Sequence, residues 1–210
     1  MKLKRMFGRK AAFDERDQQF LLSSRARGER PTRKTWRLAW RGDQGATSMC
    51  VGFAWHARLR SMPVYQKEPS PSIIYAIAQR NDEWPGEEYE GTSVRGGAKA
   101  LQMAGKIKSY GWAGTVQTAL DWVGMHGPVV LGTNWYSSMM KPNRQQVVTV
   151  KGTVVGGHAY LLVGYNDKTG LALLQNSWGK SWGNKGRCWI SYDDLQRLIA
   201  EGGEACAPTE

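Results

Sequence analysis

Cys50, His158 and Asn176 are the residues of this 210-residue chain whose types and order can do covalent chemistry. A thiol becomes a strong nucleophile only as a thiolate. It needs a base beside it, and the base needs a third group to hold its ring. Cys50 stands where a polar loop containing Gly42 and Gly45 gives way to an apolar helical run. A thiol near a helix N-terminus faces unpaired N–H groups and the positive end of the dipole, and both favour the thiolate. The Cys50 N–H can also point at a developing oxyanion, and Gln44, six residues earlier, can supply a second donor from its side-chain amide. His158 opens one apolar strand-like run and Asn176 closes the next, with the turn-forming stretch 166–170 between them. In an antiparallel hairpin centred on 167, Asn176 falls opposite His158, or within a residue or two if the ladder carries a bulge. Its carbonyl then accepts from one ring nitrogen and leaves the other facing the thiol. Trp178 follows closely enough to roof that hydrogen bond.

The elements that must position these groups change character along the chain. A helix is predicted over 48–59, stopping before Pro63, with small residues Gly52, Ala54 and Ala57 suited to packing on several sides. Ser70 or Ser72 can cap a second, Thr92 or Ser93 a third, and Thr115 a fourth that ends near Gly127 and Pro128. After Pro128 short apolar or β-branched runs at 129–131, 147–150, 159–163, 171–174 and 188–191 alternate with turn residues. A helical half followed by a strand-rich half is the α+β pattern. The expected organisation is a leader over 1–41, a helical lobe over 42–127 and a β-rich lobe over 128–210. His56 and His126 are read as structural and exposed, respectively. Cys188 and Cys206 are read as bystanders, in a strand and a tail, with a disulfide between them as the minor reading.

Composition bounds the rest. Apolar content of 41% with 22% charged residues fits a globular chain rather than a disordered one. Three scattered cysteines make neither a disulfide framework nor a zinc site, so reduced thiols and a cytoplasmic setting are expected, with a viral origin left open. No run reaches the length of a membrane span, and the basic start is followed by no apolar signal-peptide core. The net charge of +11 is concentrated: residues 1–41 hold thirteen of the 29 Lys/Arg against four acids, so the remainder is nearly neutral. The basic arm is read as a tether to an anionic partner, nucleic acid or an acidic protein, with a self-inhibitory strap across the cleft as the alternative. Its aromatics Phe13 and Phe20 are candidates for docking on the domain.

Taken together, the motifs resemble those of the papain-like cysteine peptidases, the papain and cathepsin family with its bacterial relatives. The carrying residues are Gln44 and Gly45 ahead of Cys50; His158 and Ala159 leading into Val163, Gly164 and Tyr165; and Asn176, Ser177, Trp178 and Gly179 followed by Trp182, Gly183 and Gly186. The resemblance covers about 40–205. It implies two lobes with a cleft between them, Cys50 as nucleophile, His158 as base and acid, Asn176 as orienter, Gln44 in the oxyanion hole, a polypeptide substrate and no cofactor. It also places Trp178, Val94 and Arg95 along the substrate, because the family's cleft-lining glycine pair aligns with Val94 and Arg95. The signature C-G-[SA]-C-[WY] reads Thr47 to Val51 here, so a usual disulfide partner and a usual aromatic are both replaced. The spacing from Cys50 to His158 is also short for the family. Two rival readings are acyl transfer of the transglutaminase kind, disfavoured by Asn176, and an assembly protein acting through the basic arm.

Overall fold

The computed structural model describes residues 5–22 and 29–209. Among the described residues four α-helices form where the sequence predicts, and a fifth forms near the C-terminal end: α1 Cys50–Leu59, α2 Pro71–Asn81, α3 Val94–Met103, α4 Val116–Met125 and α5 Tyr192–Ala200. Ser70, Ser93, Thr115 and Ser191 each accept a backbone N–H of the first turn of α2 to α5, which satisfies one of the four orphan donors there. By contrast α1 has no side-chain cap and begins at Cys50 itself. Its small residues allow close packing: a Cβ on Gly52 would lie 2.2 Å from the Pro71 carbonyl oxygen.

The strands are β1 Arg33–Thr35, β2 Ser109–Trp112, β3 Val129–Tyr136, β4 Val147–Val148, β5 Val154–Asn166, β6 Leu171–Gln175, β7 Arg187–Ser191 and β8 Glu204–Thr209. They join in the order β2-β8-β3-β5-β6-β7-β4, with β1 added to β5. Pairing is antiparallel except for β4 on β7. Two apolar cores result. One gathers α1 to α3 against the sheet around Trp55, Ile74, Leu101 and Leu161; the other gathers α4, α5 and the strands around Trp135, Trp178, Leu131 and Leu198. None of the helices among the described residues is long and apolar enough to cross a membrane.

Three expectations are corrected. Cys206 is not in a tail but in β8, fully buried, and Cys50, Cys188 and Cys206 are all free thiols. Next, the leader is no free arm where it is described. Leu22 is buried in the second core, Arg30 bonds both Asp121 and Asp167, Trp36 donates to the Val123 carbonyl at 2.6 Å, and β1 pairs with β5. Finally, Phe13 and Phe20 are not its anchors: both are exposed, at 83% and 55%.

Candidate active site

The hairpin of β5 and β6 turns through 167–170, with Asn166 opposite Leu171 and a bulge between Leu162 and Gly164. Continuing that register sets Asn176 across from Tyr160, two residues from the simplest expectation. The side chains nevertheless meet diagonally, with His158 Nε2 2.8 Å from Asn176 Oδ1. The Ser177 backbone N–H also donates to Oδ1 at 2.7 Å, which identifies that atom as the amide oxygen. Nε2 must therefore carry the ring proton, and Nδ1 holds a lone pair. That Nδ1 is buried and has no hydrogen-bond partner among the described residues.

Cys50 arrives from the other core. Hydrogen bonds from the backbone of Ala159, Gly8 and Val51 reach its sulfur, so the thiol lies beside the residue that follows His158. Burial is the larger influence and pushes the thiol up to about 11, while those bonds act the other way. Burial likewise pulls His158 down to about 4; the Asn176 bond opposes this and the Arg5 charge adds to it. As folded, burial keeps both the Cys50 thiol and the His158 imidazole neutral.

Rings enclose the histidine. Trp178 lies tilted over it at 5.0 Å, Tyr160 stacks at 6.0 Å, and Trp135 and Phe7 stand edge-on at 4.9 and 5.8 Å. Trp178 thus roofs the His158–Asn176 bond, as its position in the sequence suggested. Trp135 was missed, because one tryptophan among ten in a strand carries no local mark of its destination. Gln44 is buried, and its Oε1 accepts from the Ser177 hydroxyl at 2.7 Å. That bond turns the amide Nε2 toward the cleft, where it donates to the Thr47 carbonyl at 2.7 Å and the Met6 carbonyl at 3.2 Å. Ser177 was quoted as part of a motif but not seen as the group that aims Gln44.

The cleft is occupied by the chain itself. Residues 5–10 run through it in extended form. Arg5 pairs with Asp43 and donates to the Trp178 carbonyl at 3.0 Å. The Gly8 carbonyl accepts from Thr92 N–H at 2.8 Å, Arg9 N–H donates to Gly157 O at 3.0 Å, and Lys10 N–H donates to Thr92 O at 3.0 Å. Gly8 is tightly enclosed: a Cβ there would lie 1.7 Å from the Ser48 carbonyl oxygen, and one on Gly91 would lie 2.4 Å from Gly8's own carbonyl oxygen. Lys10 stacks its ammonium over Trp84 and Tyr89, each at 3.9 Å. Further on, the leader's Asp14 and Asp17 engage Arg95.

This arrangement revises the substrate-side expectations. The backbone edge that receives an extended chain is Gly91–Thr92, not Val94 and Arg95. Val94 lies buried against Gly132, and Arg95 is held by Asp14, Asp17 and Glu83 instead of lining the strap. Unforeseen too is Glu204 at the start of β8, whose Oε2 takes Arg9 Nε at 2.8 Å while the Gly202 carbonyl takes Nη2 at 2.6 Å. His56 and His126 behave as expected. His56 Nδ1 lies 2.9 Å from the Pro69 carbonyl oxygen inside the helical core, and His126 is exposed.

Comparison with known proteins agrees with this geometry. A family model described as papain family cysteine protease matches residues 74–203, a span that holds His158, Asn176 and Glu83 but begins after Cys50. A cathepsin B-like cysteine proteinase of Schistosoma japonicum is 34% identical over 86 residues, covering 36% of this chain and 25% of that protein, so the chain aligns with only about a quarter of that relative's length. Among solved structures, xylellain, a cysteine protease from Xylella fastidiosa, superposes with a TM-score of 0.75 at 18% identity over 99% of this chain and 97% of that one. The bromelain protease of Ananas comosus, solved with the E64 inhibitor, gives 0.64 at 16% identity over 85% and 99%. The structures establish the shared fold, and the family model spans more than half of the sequence. This chain belongs to the papain family of cysteine proteases.

Proposed function

We propose that the chain is a cysteine-type endopeptidase held latent by its own leader. The observation that carries the reading is the Nε2-protonated His158, fixed by Asn176 Oδ1, with Cys50 against Ala159, the residue that follows it in β5. In the active form Nδ1 takes the thiol proton as Cys50 attacks the peptide carbonyl carbon. The developing oxyanion is met by Gln44 Nε2 and the Cys50 N–H. His158 returns the proton to the departing amine, leaving a thioester that water then cleaves. Asn176 stabilises the imidazolium that forms and does not itself exchange protons.

Latency follows from what the strap occupies. Met6 presents its carbonyl to Gln44, Gly8 covers Cys50 and Phe7 seals His158 from water. The strap also supports a substrate class. The Arg9 guanidinium fills a buried pocket against Glu204, so a lysine or arginine side chain of a substrate would take the same place. Four of the basic arm's described cations, Arg5, Arg9, Lys10 and Arg30, already have partners within the chain, which favours the strap over the tether. An anionic partner would then act by drawing this segment out of the cleft.

The test is labelling with an epoxide-type thiol-protease inhibitor on the full chain and on a variant lacking residues 1–22, with mass mapping. The expected result is slow labelling of the full chain, fast labelling of the truncated one, and modification at Cys50 alone. Modification at Cys188 or Cys206 instead, or none in the truncated chain, would overturn the assignment.

A further inference from the structure

Arg58 lies in the last turn of α1, roughly 12 Å along the helix axis from Cys50 by the helical rise of eight residues. It is 5% exposed, its Nε makes no hydrogen bond, and no ion pair to its guanidinium is found among the described residues. Burial is the sole influence on its titration and pulls it down to about 10, with no carboxylate or hydrogen bond to offset it. A cation placed near a helix C-terminus complements the dipole. That explains the sign of the charge but leaves its buried Nε without an acceptor among the described residues, and a buried guanidinium without an anion is strongly disfavoured.

Beside Arg58 opens a cavity of about 710 Å³. Its walls combine apolar surface, from Leu59, Leu101, Ile107 and Pro208, with Lys106, Lys108 and the exposed edge of His126. His126 stacks on Trp122 with ring centroids 4.2 Å apart, giving an aromatic wall. No aspartate or glutamate is among the lining residues described. The volume is that of a small-molecule site, and the lining has the usual form of one, mostly apolar with a few converging polar groups. The planar fork of an arginine matches the paired oxygens of a phosphate or carboxylate, and two lysines at the mouth add charge of the same sign.

We propose that this cavity is a second binding site, separate from the catalytic cleft, for a small organic oxyanion: a phosphate or carboxylate carried on an aromatic or aliphatic body. The anion pairs with Arg58 and the body lies against Trp122, Leu101 and Ile107. The site rests on the unpaired guanidinium and the cavity, and does not depend on the catalytic reading.

Calorimetry and thermal unfolding of the full chain at constant ionic strength test it, with phenyl phosphate, benzoate and inorganic phosphate as probes. Phenyl phosphate is expected to bind saturably, once per chain, more tightly than inorganic phosphate, and to raise the unfolding midpoint. Arg58→Met should lose affinity by about tenfold or more, the worth of a charged hydrogen bond. It should also be at least as stable as wild type without ligand, because an unpaired buried charge has gone. Should Arg58→Met fail to fold, the Lys106→Ala and Lys108→Ala double variant decides: it alters exposed or half-buried lysines only and should weaken phenyl phosphate several-fold. The proposal is overturned by the absence of saturable binding for all three probes, by unchanged affinity in the variants, by equal affinity for phenyl phosphate and inorganic phosphate, or by an Arg58→Met protein that is less stable yet binds normally.

Discussion

Beneath the strap Cys50 and His158, the proposed reacting groups, are held in their uncharged forms, and the cause is burial, not the choice of residues. Exposing the cleft should bring Cys50 and His158 back toward the thiolate–imidazolium pair. In the truncated chain Cys50→Ala is expected to abolish peptide hydrolysis, whereas Cys188→Ala and Cys206→Ala, buried in β7 and β8, should leave kcat/KM largely intact. Gln44→Ala should lower kcat by roughly 10²- to 10³-fold, the usual loss for one oxyanion donor. Asn176→Ala should lower kcat more than it raises KM, because the lost contact matters most as imidazolium forms. Unaltered kcat in both would remove the proposed roles. Glu204 allows a specificity test. Glu204→Gln should reduce kcat/KM for a substrate with arginine in this pocket at least tenfold relative to one with leucine there. Equal losses on the two substrates would show that Glu204 only supports the fold.

At the scale of an element, the proposed strap links opening to pH through His158. Docked, His158 titrates near 4, below its ordinary 6.5, so the open form binds more protons between those values and acid favours opening. Glu204 is raised by burial, while Arg9 of the strap lowers it, so protonating Glu204 weakens the ion pair that holds the strap and acts in the same direction. Epoxide labelling of the wild type, corrected for the thiol's own titration, should therefore speed up as pH falls from 6.5 toward 4, and a flat profile would dismiss this linkage. Gly8 offers a second handle on the same element. No side chain fits between Ser48 and Gly91, so Gly8→Ala should loosen the strap and speed labelling of Cys50. Wild-type speed would mean that the segment does not gate the cleft.

For the molecule as a whole, the leader joins both cores to one cleft. Deleting residues 1–22 should raise kcat/KM, and a peptide of residues 5–22 added back should inhibit. The tether reading predicts the reverse: unchanged kcat/KM, with loss of salt-sensitive retention on heparin. The truncation also removes Leu22 and the contacts of Asp14 and Asp17 with Arg95, so the unfolding midpoint should fall modestly. Arg95, read from sequence as a cleft residue, engages the leader's Asp14 and Asp17, and the arm's Arg5, Arg9 and Arg30 pair with carboxylates inside the chain.

What the sequence by itself determined is what local chemistry controls. Caps at Ser70, Ser93 and Thr115 locate helices, the 167–170 turn sets the hairpin, and the settings of Cys50, His158, Asn176 and Gln44 mark them as the proposed reacting groups. Each rests on contacts within a few residues or on a register counted from one turn. What only the tertiary structure decided depends on contacts between distant segments. Strand β8 is a short, weakly patterned run that becomes a strand because β2 and β3 flank it, and Glu204 enters the pocket for the same reason. Trp135 meets His158 only through the pairing of β3 with β5. The path of residues 5–10 depends on Gly8, Arg9 and Lys10 finding Thr92, Gly157 and Glu204, partners more than eighty residues away. A basic, aperiodic segment has the same composition whether it hangs free or fills a cleft; the difference lies in the complementary surface, which exists only once the two lobes have folded.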